Sequence, residues 1–200
     1  MVLRIGCIVE GHGERESVPI LLRRIASIVN PGLTLEIPQP IRVPKSKLTK
    51  PGELERAVEL AARKIDGRGS IFVIVDADAD CPADLGPSLA ARANSARGDL
   101  YTAVVVAKKE FEGWFLASAE SLRGHRGLSD ALQPPDDPES IGDAKGWLAV
   151  RMTVGGSYSS TLDQPALTSI FDLTAARAAD SFDKCYREAI QLMTGPGFNA

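Results

Sequence analysis

Ile71 to Val75 are five apolar residues in a row, four of them β-branched, and they run straight into Asp76, Asp78 and Asp80. Successive side chains of a strand point to opposite faces, so an unbroken apolar run is a strand buried on both sides. That is the condition of a strand inside a parallel sheet with helices packed above and below it. RIGCIVEG, residues 4–11, has the same character and ends on Glu10 and Gly11, and LYTAVVVA, residues 100–107, supplies a third such strand.

Between these runs the periodicity changes. SVPILLRRIASIV, residues 17–29, places Val18, Leu21, Leu22, Ile25, Ile28 and Val29 at helical spacing, and Asn30-Pro31-Gly32 stops it. PGELERAVELAARKI, residues 51–65, puts Leu54, Ala57, Val58, Ala61 and Ile65 on one helical face. A further helix is expected from about Asp84 to Ala96, and another over KKEFEGWFLASAESL, residues 108–122. LTLEIPQPIRVP, residues 33–44, alternates but is interrupted by Pro38, Pro40 and Pro44, which restricts it to an edge strand at best. Alternating strands and helices predict an α/β fold, a Rossmann-like parallel sheet flanked by helices.

From Arg123 the texture differs. LQPPDDPESIGDAKG, residues 132–146, reads as a Pro/Asp-rich loop, and the rest reads as helices, including SFDKCYREAIQLM, residues 181–193. The expected organisation is a core over residues 1–122 with a loop-rich and helical extension, residues 123–200, packed on it. The final TGPGFNA is expected to fray.

The chain has 200 residues, 44% of them hydrophobic, enough for one ordinary core, and a net charge of −3. That balance excludes a broad polybasic surface. Arg23–Arg24 and Lys45–Lys50 are local basic clusters, whose ordinary role is a solvated face or loop. Cys7, Cys81 and Cys185 are odd in number and lack CxxC spacing, which argues against a disulfide framework or a zinc site and for a reducing compartment. The N-terminal apolar run is too short for a signal sequence, and no stretch approaches the length of a membrane span. A cytoplasmic protein without membrane contact is expected.

In a parallel sheet the carboxyl ends of all strands lie along one edge, and ligands bind just outside it. Glu10 and Glu14 follow the first strand, Asp76, Asp78 and Asp80 the central one, and Glu110 and Glu112 the next, so seven carboxylates from three segments should meet there. Asp76 and Asp78 project to the same side if the strand exit stays extended. Glu10 and Glu14 are adjacent if the turn between them has become helical. Hard divalent cations take oxygen ligands, and Mg²⁺ is held by one or two carboxylates with water and phosphate completing its shell. The same residues also suit humbler roles: the aspartates as helix caps or turns, Glu14 and Glu16 as complements to the following helix dipole, Glu110 as a surface partner of Lys108 and Lys109. Other motifs fail. GHGERES lacks the lysine of a P-loop, Glu16 stands where a dinucleotide fingerprint needs its third glycine, and neither His12 nor His125 has a nucleophile beside it.

An apolar strand ending VEGHGE and a later one ending VDADAD resemble the TOPRIM domain, shared by bacterial primases, type IA and II topoisomerases and the OLD-family nucleases. That resemblance implies a catalytic Glu10 before Gly11, with Asp76 and Asp78 binding Mg²⁺ or Mn²⁺ and Asp80 as an extra acid. Glu14, four residues after Glu10, is similar to the OLD-like branch. Small stand-alone bacterial TOPRIM-like proteins of unknown function carry an acid before a tryptophan after the next strand, which implies a role for Glu112 in EFEGW. The implied ligand set is Glu10, Glu14, Asp76, Asp78, Asp80 and Glu112. No ATPase domain, winged helix or tyrosine-bearing domain accompanies these motifs in this sequence, which leaves hydrolysis rather than strand passage or primer synthesis.

The reading is metal-dependent phosphodiester hydrolysis, a nuclease acting on DNA or RNA, alone or with a partner ATPase. Lys145, in GDAKGW, is the candidate cation for the charge that develops on phosphorus oxygens. The alternative is a non-catalytic interaction or regulatory module of a defence-type system, with Trp114, Phe115, Trp147 and Tyr158 forming an interface instead of core. A phospho-acceptor receiver also gathers acids at strand ends, but it places the acid pair after the first strand and a single Asp after the third, the reverse of the order here.

Overall fold

A computed structural model of the chain describes residues 1–153 and 157–195. The three apolar runs form β1 (Val2–Val9), β4 (Ser70–Asp76) and β5 (Tyr101–Ala107), paired in parallel in the order β1-β4-β5. Two short segments, β2 (Thr34–Glu36) and β3 (Ile41–Arg42), lie along the other side of β1, also parallel to it. Together they are one interrupted edge strand. Val2 to Arg4 face the first part and Ile8 and Val9 the second, with Pro38 and Pro40 in the gap, where a ladder N–H would otherwise be required.

The apolar runs divide between two cores, one on each face of the sheet. Leu3, Ile5, Cys7, Phe72, Ile74 and Val105 point to one side and Ile8, Ile71, Val73, Val75, Val104 and Val106 to the other. On the first face pack α1 (Glu14–Val29) and α9 (Asp180–Thr194), and on the second α3 (Glu53–Lys64) and α4 (Pro82–Ala96). The short α2 (Lys45–Leu48) follows β3 and buries Leu48 in the second core. The architecture is the expected α/β sandwich around a parallel five-stranded sheet. No helix among the described residues is long and apolar enough to cross a membrane.

The expected helix over 108–122 is much shorter. Lys109 has a left-handed backbone (φ 61), which a right-handed helix cannot contain, so α5 covers only Gly113–Ala117, followed by a 3₁₀ turn at Ala119–Leu122. Residues 108–112 instead turn back over the sheet edge and bring Phe111 and Glu112 inside. The remaining elements are α6 (Ala144–Ala149), α7 (Asp163–Thr168) and α8 (Leu173–Ala176), with 3₁₀ turns at His125–Gly127 and Pro138–Ser140. Thr194 closes α9, and the expected fraying falls mainly on residues 196–200, outside the described residues.

A relay of rings ties the two stretches of the chain together. Phe111 meets Trp114 at 4.5 Å between centroids, Trp114 meets Phe182 at 5.2 Å, and Phe171 bridges Phe115 and Phe182 at 5.4 Å each. The Trp114 indole N–H donates to Ser181 Oγ at 2.8 Å, so its one polar atom is satisfied inside the core. Trp114 and Phe115 are therefore core residues, while Trp147 and Tyr158 are only partly buried. Trp114→Ala should lower unfolding free energy by about 3–5 kcal/mol in a urea titration. Trp147→Ala, which loses mainly the Arg151 guanidinium stacked 3.7 Å over its ring, should cost less than about 2 kcal/mol.

Candidate functional site

All strands are parallel, so every residue that follows a strand emerges along one edge. A cleft of about 420 Å³ opens there, lined by Glu10, Glu14, Asp76 and Glu112 together with Lys145, Arg42 and the loop of Ser160 and Thr161. Three of these four acids are anchored by backbone N–H groups. Glu14, the first residue of α1, turns its carboxylate back to accept the N–H groups of Glu10 (2.9 Å) and Gly11 (3.1 Å). Residues 10–13 form a turn that is not helical, so the pair meets through the backbone and not across a helical face. Glu10 accepts the Asp76 N–H at 3.2 Å, linking β1 to β4. Asp76 accepts the Phe111 N–H at 2.9 Å, linking β4 to the turn after β5.

Glu112 is fully buried. Tyr158 donates its hydroxyl to Oε1 at 2.9 Å. Oε2 lies 2.9 Å from the Lys145 ammonium, an ion-pair distance, yet the angle is outside hydrogen-bond range and the atom has no hydrogen-bond donor among the described residues. The charge on this oxygen is compensated by the ion pair, while its lone pairs accept no hydrogen bond among the described residues. Gly13 is required by this packing, because a Cβ on it would come within 2.0 Å of both the Ser160 carbonyl and the Gln164 amide oxygen.

Crowding shows in the acid strengths. Burial pushes Glu14 up to about 7, and the nearby Glu112 and Glu10 carboxylates push in the same direction. Burial, then repulsion from Glu14 and Glu112, holds Asp76 well above the ordinary carboxylate range. Glu10 is raised as well, by burial first and by Asp78 to a lesser degree. Burial works to lower the Lys145 pKa, but Glu112, Asp76 and Glu110 outweigh it and keep the ammonium charged. Tyr158 is raised by burial and by Glu112, so its hydroxyl keeps its proton and serves as a donor.

Of the residues singled out from the sequence, Glu10, Glu14, Asp76, Glu112 and Lys145 come together in this cleft. Asp78 and Asp80 stand beside it. The alternation that would keep Asp76 and Asp78 on one side ends at the strand terminus, because Asp78 takes a left-handed backbone (φ 50). Its carboxylate and that of Asp80 meet Lys45 at 3.0 and 2.8 Å. Glu110 pairs with Lys145 at 3.4 Å, not with Lys108, which lies 3.7 Å from Glu139. Cys7 and Cys185 are buried free thiols and Cys81 is an exposed one.

Lys45 belongs to the basic cluster read as a solvated face, yet its side chain is only 12% exposed. The topology that gathers the acids also explains it. β3 is parallel to β1, so the residues after it arrive at the same edge. Tyr158, Ser160 and Gln164 carry no such signal, since the segment that holds them follows no strand.

No protein-family model, curated protein or solved structure matches this chain. Among the described residues, no three His, Cys, Asp or Glu side chains converge closely enough to form a ready-made metal cage. The donor set nonetheless suits a hard cation that needs only one or two carboxylates and otherwise keeps its water: it is all oxygen, and Glu112 Oε2 offers a buried lone pair without a donor.

The raised Glu14 has a thermodynamic consequence. The unfolded chain releases this proton near 4.5 and the folded one near 7, so the group's stabilisation is whole below about 4.5 and lost as pH rises through about 7. In metal-free buffer the melting temperature of Glu14→Gln should therefore gain on that of the native protein between pH 5 and pH 8. Parallel profiles would show that Glu14 is not perturbed.

Proposed function

We propose that this chain is a divalent-metal-dependent phosphodiesterase, a TOPRIM-like nuclease resembling the OLD branch, acting on DNA or RNA alone or with a partner ATPase. The observation that carries this reading is the meeting of Glu10, Glu14, Asp76 and Glu112 in one cleft, with Lys145 beside them and one Glu112 oxygen lacking a donor. Those acids repel one another, and a structure that needed them only as caps would not have to bury them together.

One or two carboxylates from among Glu10, Asp76 and Glu112 would hold Mg²⁺ or Mn²⁺, with water completing its shell and Glu14 bracing the loop between β1 and α1 through its two backbone hydrogen bonds. When bound, such an ion orients the phosphate and lowers the pKa of its water. The chain's own residues supply the rest. Lys145 keeps a positive charge at the cleft, in place to meet a phosphoryl oxygen as negative charge grows on it. Tyr158 fixes Glu112 in one orientation. Gly11 and Gly13 keep the floor free of side chains, and Arg42, exposed on the cleft wall, is free of ion pairs among the described residues and available to the next phosphate.

A scaffold role is favoured by one observation: the carboxylates of Glu10, Glu14 and Asp76 each accept backbone N–H groups and so staple the strand ends together. Kinetics separates the two. With Mn²⁺ and short single- and double-stranded DNA and RNA, Glu10→Ala and Asp76→Asn should each lose at least about 100-fold in cleavage rate while circular dichroism is unchanged. Lys145→Met should lose about 10²–10³-fold. Unchanged rates in all three folded variants would leave the scaffold reading.

A further inference from the structure

The acidic edge is asymmetric. Its inner half, Glu10, Glu14, Asp76 and Glu112, contains the carboxylate oxygen with no hydrogen-bond donor. Its outer half, Asp78 and Asp80, holds a hydrogen-bonded ammonium, whereas the Lys145 ammonium meets Glu112 of the inner half through an ion pair alone. The Lys45 ammonium donates to the Ala77 carbonyl and to Asp78 Oδ2 (3.0 Å) and lies at an ion-pair distance of 2.8 Å from Asp80 Oδ2.

In this trio the cation is the buried partner. The Lys45 side chain is 12% exposed, against 61% and 55% for Asp78 and Asp80. The loop is shaped around it. Asp78 is left-handed, its N–H donates to the Lys109 carbonyl at 2.9 Å, and the Asp80 N–H donates to the Ala77 carbonyl at 2.9 Å. Lys45 is fixed from its own side too, by Leu48, one helical turn on, which is sunk in the core. A backbone carbonyl and two carboxylates are the donors a hard divalent ion would take, and here they surround an ammonium.

We propose that Lys45 is a resident cation standing in for a second metal ion, so that the centre loads one divalent ion, in its inner half. This rests on the metal-dependent reading above and adds the number of ions and the identity of the other positive charge. An ion entering the outer half would have to displace an ammonium that is 12% exposed and held by hydrogen bonds to Ala77 and Asp78. Lys45 then also screens Asp78, which stands beside the cleft, from Glu10, which lines it.

The test is calorimetric titration of the full chain with Mn²⁺, with bound Mn²⁺ counted by electron paramagnetic resonance. The native protein should take up one equivalent, and Lys45→Met, which keeps the apolar stem and removes the charge, should take up two. Lys45→Arg should remain at one. Two equivalents in the native protein, or one in a folded Lys45→Met, overturns the proposal and leaves the metal-dependent reading standing. No uptake by the native protein, with or without an oligonucleotide, removes both. Should Lys45→Met fail to fold, Lys45→Gln serves in its place.

Discussion

Burial of β1, β4 and β5 on both faces is the constraint from which the rest follows. Strands without a solvent face need helices above and below, and those helices can be supplied only by crossover connections that keep the strands parallel. Parallel strands in turn deliver the residues after each one to a single edge. Charge gathers there because no interior position could accept it.

The edge is held together by the groups that make it expensive. Glu14, Glu10 and Asp76 form a chain of carboxylates, each accepting a backbone N–H from a neighbouring segment, so the acids replace the hydrogen bonds that the strand ends would otherwise lack. Two lysines from distant segments, Lys45 and Lys145, flank this chain on opposite sides. Removing any member leaves a buried partner without compensation, which makes the site sensitive to substitution whatever its chemistry.

Much of this was legible in the residues. Unbroken runs such as IFVIV carry their own environment, and the helices of residues 17–29 and 51–65 showed their buried faces by spacing, except that Ile28, placed on the first of those faces, is 60% exposed. Prolines 38, 40 and 44 marked the edge strand correctly because a missing N–H is a local property. What escaped was decided by backbone conformation or distant packing. The left-handed turn at Lys109 shortened a helix with good helical spacing, and the same geometry at Asp78 redirected a carboxylate. Lys45 was legible in principle, once the strand before it is taken as parallel. Tyr158 was not, because its partner Glu112 is 46 residues away and nothing in either neighbourhood names the other.

The aromatic relay has a consequence for the order of events during synthesis. All five strands lie within the first 107 residues, so the sheet can pair while the rest of the chain is still being made. The edge cannot be finished then. Lys145 reaches back 35 residues to Glu110, Tyr158 reaches back 46 to Glu112, and Ser181 reaches back 67 to receive the Trp114 indole N–H. These contacts wait on residues that are synthesised after the sheet is complete. Until they form, Glu112 has neither its tyrosine nor its lysine. A nascent chain of this protein therefore carries a formed sheet with an unassembled cleft, and the site is completed only after its last segment docks.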